Sequence, residues 1–234
     1  VAEFIMTRAT RIKDGGLSHW GGNYQLWVDT LYMVGPPFAE LTHRTGDPKY
    51  LAETVQQMKI YQGHLQEPNG LFWHMYDEPS DKRVGVLWGR GNGWTAMSYV
   101  MVLKYLDKNA PDRPRLLADF RRQMDGLLAV QDKESHMWHT VTDHPDSYLE
   151  TSATAMILGS LVEAERYGLY TAKDRRIIPK TWAALADKVD AGGHVIDVSG
   201  GTGPTPIQDY IAKVKGTYTW GTGAFLMAAA AMEE

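Results

Sequence analysis

Apolar and polar positions along this chain alternate in blocks rather than residue by residue. In 48–65 the apolar residues at 51, 55, 58 and 61 follow a helical period, while Lys49, Glu53 and Lys59 face the other way. Residues 113–130 and 172–189 repeat that pattern with many charges. These three stretches are predicted to be outer, solvent-facing helices. Between them lie 94–107, 150–167 and 219–232, rich in Ala, Gly, Ser, Thr and Met and poor in charge. Small uncharged residues allow close helix approach, so these read as inner helices. Short aromatic or His-bearing pieces recur at Leu17–Trp20, Leu71–His74, Met137–Thr140 and His194–Asp197, and each is expected to be a short strand. Three of the four directly follow glycine, as a turn requires.

Helix ends are legible too. In Gly46-Asp47-Pro48, Gly46 closes one helix, Asp47 caps the next, and Pro48 takes its first position. The same start signal recurs at Asp112-Arg113-Pro114. Gly35-Pro36-Pro37 is expected to break a helix, leaving a short turn at 29–34 and a helix from 37 to 45. An inner ring inside an outer ring is an all-α toroid of helical hairpins. The expectation is one domain over 1–234. A closed six-hairpin ring needs roughly 330 to 380 residues at this repeat length, so hairpins are expected to be missing on the N-terminal side.

Composition narrows the function. A net charge of -4 argues against a nucleic-acid partner. Without cysteine, thiolate catalysis and disulfides are excluded. No apolar run reaches the length of a membrane span, and the opening VAEFIMTRAT has no signal-peptide pattern, so a cytoplasmic location is expected. Eight Trp and twelve Tyr against five Phe suit a cleft that stacks on sugar rings, or a helical core that happens to use Trp.

Loops at the starts of inner helices converge on one mouth of a toroid, and they carry the unusual residues. Asp29 is a lone carboxylate in Trp27-Val28-Asp29-Thr30-Leu31-Tyr32-Met33. Burial there is expected to raise its pKa, as a general acid needs; on spacing alone a helix cap is the stronger reading, and capping and catalysis can coexist. His74 alternates with aromatics in Phe72-Trp73-His74-Met75-Tyr76. Trp88-Gly89-Arg90-Gly91-Asn92-Gly93-Trp94 offers stacking faces, backbone free to approach a ligand, and a planar donor fork suited to a carboxylate. His19-Trp20 adds another element, and Glu150 reads as a second acid or a cap. Gly200-Gly201-Thr202-Gly203-Pro204 reads as a mobile loop over the mouth. No His pair with a third ligand at metal spacing is present, so a zinc site is not expected.

Taken in order, these motifs, with Leu149-Glu150-Thr151-Ser152 and Gly221-Thr222-Gly223-Ala224-Phe225, resemble the unsaturated rhamnogalacturonyl hydrolases of glycoside hydrolase family 105 and their relatives in family 88. The resemblance runs through essentially the whole chain. It implies an (α/α)6 barrel and an oligosaccharide substrate whose terminal uronic acid carries a C4–C5 double bond. It implies that Asp29 is the catalytic acid, and it implies no metal and no cofactor. It places His19, Trp27, Met33, His74, Trp88, Arg90 and Trp94 around the substrate, with Arg90 toward the sugar carboxylate. Family members carry a second Asp upstream of the first motif, to which nothing here corresponds. Two alternatives stay open: a non-catalytic sugar-binding remnant of the fold, and another (α/α) barrel enzyme such as an epimerase. Oligomeric state is not legible.

Overall fold

The computed structural model describes residues 1–233. Four long helices form the inner layer: α2 (Asp29–Thr45), α4 (Gly89–Tyr105), α6 (Thr151–Arg166) and α9 (Thr219–Glu233). They pack side by side in that order. Behind them lie α1 (Ala2–Thr7), α3 (Lys49–Leu65), α5 (Arg113–Ala129) and α7 (Ile177–Ala186). Thus α3 backs α2, α5 backs α4 and α7 backs α6. Burial is deepest in the middle of the inner layer, in α4 and α6: the first eight residues of α6 are all buried, as expected of a stretch without charge, whereas most of α9 is not. Among the described residues no helix is long and apolar enough to cross a membrane.

The repeat read from the sequence is real, but its short pieces are turns with single bridges rather than strands. Leu17 pairs with Arg11, Phe72 with Gln66 and Val195 with Val189, each across six residues. The fourth piece bridges His139 to Leu149 instead. Each turn is closed by a backbone hydrogen bond, spanning four residues from Ile12 N–H to Gly16, Glu67 to Leu71 and Asp190 to His194, and five from Asp132 to Met137. The residue at the bend takes positive φ in all four copies: Gly15, Gly70, Gly193 and, alone in lacking glycine, His136 at φ 60°. A side chain in that conformation costs roughly 1 kcal/mol. His136→Gly is therefore expected to stabilise the protein by up to about 1 kcal/mol, after the extra chain entropy of glycine is counted. A lowered Tm in the variant would show that the His136 side chain holds something.

Two expectations about helices are corrected. Residues 29–45 form one continuous helix straight through Pro36 and Pro37. The prolines remove two helical donors, but tertiary packing outweighs the loss. Leu31, Val34, Phe38 and Ala39 are buried along α2, and Gly35 faces Thr54 of α3 and Ser98 and Val102 of α4. The other correction concerns α7, which covers only Ile177–Ala186 of the expected 172–189.

Two small sheets decorate the mouth. One has β1 (Gln25–Trp27), β2 (Met75–Asp77) and β3 (Lys82–Val84), antiparallel in that order, with Trp27 opposite Met75 and Met75 opposite Val84. The other pairs β4 (Val198–Ser199) with β5 (Lys215–Gly216), and α8 (Ile207–Ile211) lies between them in sequence.

Candidate functional site

The first sheet decides where His74 sits. Its backbone continues the ladder beyond β2: Val28 N–H donates to the His74 carbonyl at 2.9 Å, and His74 N–H donates to Val86 at 3.0 Å. Val28 immediately precedes α2, so Asp29 at the first turn of the helix and His74 on the neighbouring segment are brought together across 45 residues of chain. His74 Nε2 lies 3.6 Å from Asp29 Oδ2. Neither atom has a hydrogen-bond partner in the protein, although both are out of contact with solvent. Buried polar atoms are nearly always satisfied, so two unpartnered atoms facing each other single this pair out as the candidate site.

Rings wall the pair. His74 is completely buried, stacked on Trp88 at 4.3 Å between centroids and set edge-on to Trp27 at 5.5 Å. His19 stacks flat on Trp27 at 4.7 Å, and its Nδ1 bonds the Thr30 hydroxyl at 2.8 Å. Trp20, 56% exposed, stands edge-on to both His19 and Trp27. Of the residues singled out from the sequence, His19, Trp27, Asp29, His74 and Trp88 form one cluster. Trp94 stacks obliquely on Tyr32, about one turn along α2 from Asp29. Met33 is 51% exposed on the same helix, four residues beyond Asp29 and therefore on its face.

Electrostatics reverse one expectation. Burial alone would lift the Asp29 pKa, but polar contact with His74 and the neighbouring His19, together with its own backbone amide, outweigh it and hold the carboxyl below the usual range. At 3.6 Å the His74 contact is longer than a hydrogen bond, so its pull is mostly electrostatic. The start of α2 adds a favourable dipole for a carboxylate. Burial also lowers the His19 pKa, against the pull of Asp29.

Arg90 and the glycines around it are used differently from what their motif suggests. The motif is not a loop but the first turn of α4. A side chain at Gly91 would meet Val28 at 2.6 Å, and one at Gly93 would meet Met156 at 2.7 Å. The glycines thus bring helices together rather than backbone to ligand. Arg90 is only 4% exposed. Its guanidinium lies over the ring of Trp88 and near that of Trp220. Both terminal nitrogens donate into the 199–202 segment: to the Ser199 carbonyl at 3.1 Å and its hydroxyl, to the Gly200 carbonyl at 2.9 Å and to Thr202 Oγ1 at 3.3 Å. Burial lowers the Arg90 pKa, opposed by Glu150 and Asp29. The loop read as mobile is therefore tied down, and a side chain added at Gly203 would meet Trp27 at 3.9 Å.

Glu150 is a cap rather than a second acid in the cluster. It is wholly buried, and its carboxylate accepts the amides of Ser152, Ala153 and Ser199. Sequence reasoning missed Tyr210, whose hydroxyl meets His74 Nδ1 at 2.5 Å from 136 residues away. No local pattern marks it, because α8 is a five-residue helix behind a Gly-Pro loop.

Comparison with known proteins agrees with this architecture. The sequence profile of Glycosyl Hydrolase Family 88 matches residues 1–234. The unsaturated rhamnogalacturonyl hydrolase YesR of Bacillus subtilis is 32% identical over 97% of this chain and 67% of its own length. An unsaturated 3S-rhamnoglycuronyl hydrolase of Alteromonas is 31% identical over 93% of this chain and 54% of its own. The crystal structure of a possible member of the GH105 family from Salmonella enterica superposes with a TM-score of 0.94 at 26% identity, covering 99% of this chain and 63% of that one. The unsaturated glucuronyl hydrolase of Bacillus sp. GL1, at 22% identity and a TM-score of 0.77, shares the fold. These neighbours are (α/α)6 barrels, and this chain spans roughly half to two thirds of the relatives it matches. With the helical layers, the ordered motifs and the profile in agreement over its full length, the chain belongs to Glycosyl Hydrolase Family 88.

Proposed function

We propose that this protein removes a 4,5-unsaturated uronic acid from the non-reducing end of lyase-generated oligosaccharides, of the rhamnogalacturonan type. The observation that carries this reading is the Asp29–His74 pair, two unpartnered polar groups 3.6 Å apart beside a stacked Trp27 and His19. One carboxylate flanked by rings suits hydration of a vinyl ether. Asp29 in its acid form gives its proton to C4, and positive charge develops at C5 and the ring oxygen. Water adds at C5 and its proton returns to the Asp29 carboxylate. The hemiketal then opens and releases the neighbouring sugar. A direct displacement at the anomeric carbon would need two carboxylates flanking one bond.

In the free protein Asp29 is held as the carboxylate. Substrate binding pushes the other way: it brings a second carboxylate and expels water, and both raise the Asp29 pKa toward the acid form. Met33, Trp88, Arg90 and Trp94 complete the lining in this proposal, with Arg90 acting through the wall it anchors or by exchanging its loop bonds for the sugar carboxylate.

The test is an assay on oligosaccharides left by a rhamnogalacturonan lyase. The ultraviolet absorbance of the conjugated uronate is expected to decay in the presence of the protein, with release of the adjacent sugar. Unchanged absorbance with binding detected by calorimetry would replace this reading with a sugar-binding one. Turnover of saturated oligosaccharides would point to another barrel enzyme. A cytoplasmic location belongs to the same proposal, and activity recovered outside the cell would overturn it.

A further inference from the structure

Tyr210 is completely buried, and its hydroxyl lies 2.5 Å from His74 Nδ1. A backbone hydrogen bond from Thr205 acts on the same oxygen and lowers its pKa, as a donor does. Among the described residues no other acceptor takes the hydroxyl hydrogen, so it points at Nδ1. Burial raises the Tyr210 pKa, so the phenol remains a donor at neutral pH. A neutral imidazole that accepts at Nδ1 carries its own hydrogen on Nε2. Nε2 is the atom that faces Asp29 Oδ2.

The approach of Tyr210 is built into the chain. Gly85 has φ 89°, and a side chain there would come within 2.7 Å of the Tyr210 hydroxyl and 3.1 Å of His74 Cβ. Arg90 secures the segment that leads to Tyr210 by its bonds to Ser199, Gly200 and Thr202. Trp220 Nε1 adds a further bond to the Ser199 carbonyl at 3.1 Å. We infer that Tyr210 is a positioning residue, which fixes His74 as the Nε2–H tautomer and so aims a hydrogen at Asp29, coupling the 199–206 segment to the carboxylate. The catalytic consequence rests on the reading under Proposed function; the tautomer does not.

The charged or titratable groups facing Asp29 are His74 and His19, Arg90 on α4, Tyr61 on α3 and Tyr210 on α8. Of these, only His74 presents a ring nitrogen to the orphaned oxygen Oδ2. Losing the Nε2 hydrogen would remove a favourable dipole from the carboxylate and raise the Asp29 pKa. The acid form would then persist to higher pH.

Two measurements test this on the full protein. Nitrogen NMR of the histidine rings, assigned with His74→Gln, is expected to show Nδ1 of His74 as the unprotonated nitrogen and Nε2 as protonated. Tyr210→Phe is expected to give mixed tautomers. In the same variant kcat on the acid side of the profile, where Asp29 is fully protonated, is expected to fall severalfold, because an acid of higher pKa gives its proton to C4 less readily. KM is expected to stay within about twofold, and the descending limb of the kcat/KM profile to move to higher pH. A structural role alone would lower kcat without moving that limb. A proton on Nδ1 in the wild-type protein overturns the inference, and this needs no variant to fold. So does an unshifted pH profile in a folded Tyr210→Phe. If the wild-type protein leaves unsaturated substrates intact, the proposed function fails while the NMR still decides the hold of Tyr210 on His74.

Discussion

Asp29→Asn is expected to lower turnover of the unsaturated oligosaccharide by at least about 10²-fold, toward the upper end of the 10² to 10⁴ that general acid–base catalysis contributes. Asn is nearly isosteric and can neither give a proton to C4 nor take one from the attacking water. The effect should fall on kcat, because the same residue serves both halves of the reaction. The fold should survive. Asp29 has a side chain 20% exposed, and its orphaned Oδ2 has no hydrogen bond to lose. A small stability difference should still appear with pH. The Asp29 pKa is depressed on folding, so the native state favours the carboxylate. That contribution is present above the unfolded value of 3.8 and disappears as pH falls through the folded value. Tm of the wild-type protein and the variant should therefore differ slightly at neutral pH and converge in acid. Full activity in Asp29→Asn would sink the mechanism.

The largest expected effect on stability is at Glu150. Its carboxylate is fully buried and receives the amides of Ser152 at 3.2 Å, Ala153 at 2.7 Å and Ser199 at 2.9 Å, with Arg90 at 4.0 Å. It therefore caps α6, joins β4 to it and neutralises the cation that ties down the 199–202 segment. Glu150→Ala leaves three amides unanswered and Arg90 as a buried charge without its counter-ion. Breaking a buried pair in this way costs about 3 to 5 kcal/mol, which for a chain of this size lowers Tm by roughly 6 to 20 °C. Glu150→Gln keeps an acceptor and should lose less. Thermal unfolding followed by circular dichroism checks both variants. An Ala variant within about 1 kcal/mol of the parent would mean that water or rearrangement replaces the carboxylate.

Much of the site could be named from the sequence because its parts lie in short motifs. Trp27, Asp29 and Thr30 are neighbours in the chain, and so are His19 and Trp20. What the motifs do not encode is which groups end up sharing a bond. Asp29 looked like an acid with a raised pKa until His74 and His19 were seen beside it. Arg90 looked like a free donor fork, yet its donors are taken by a segment more than a hundred residues later. Tyr210 had no signal at all.

The same division holds for the fold. By itself the sequence determined the alternation of charged outer and uncharged inner helices, the four turn copies and the cap at Gly46-Asp47, where Gly46 is left-handed and Asp47 accepts the Lys49 amide. These depend on periodicity, on φ and on side chains reaching two or three residues, all of which are local. The tertiary structure alone decided that α2 runs through Pro36 and Pro37, because burial along its length outweighs two lost donors. It turned Gly91 and Gly93 into helix contacts with Val28 and Met156. It also closed the path from Arg90 through Tyr210 to His74 and Asp29, which rests on pairings between segments far apart in the chain that no local pattern records.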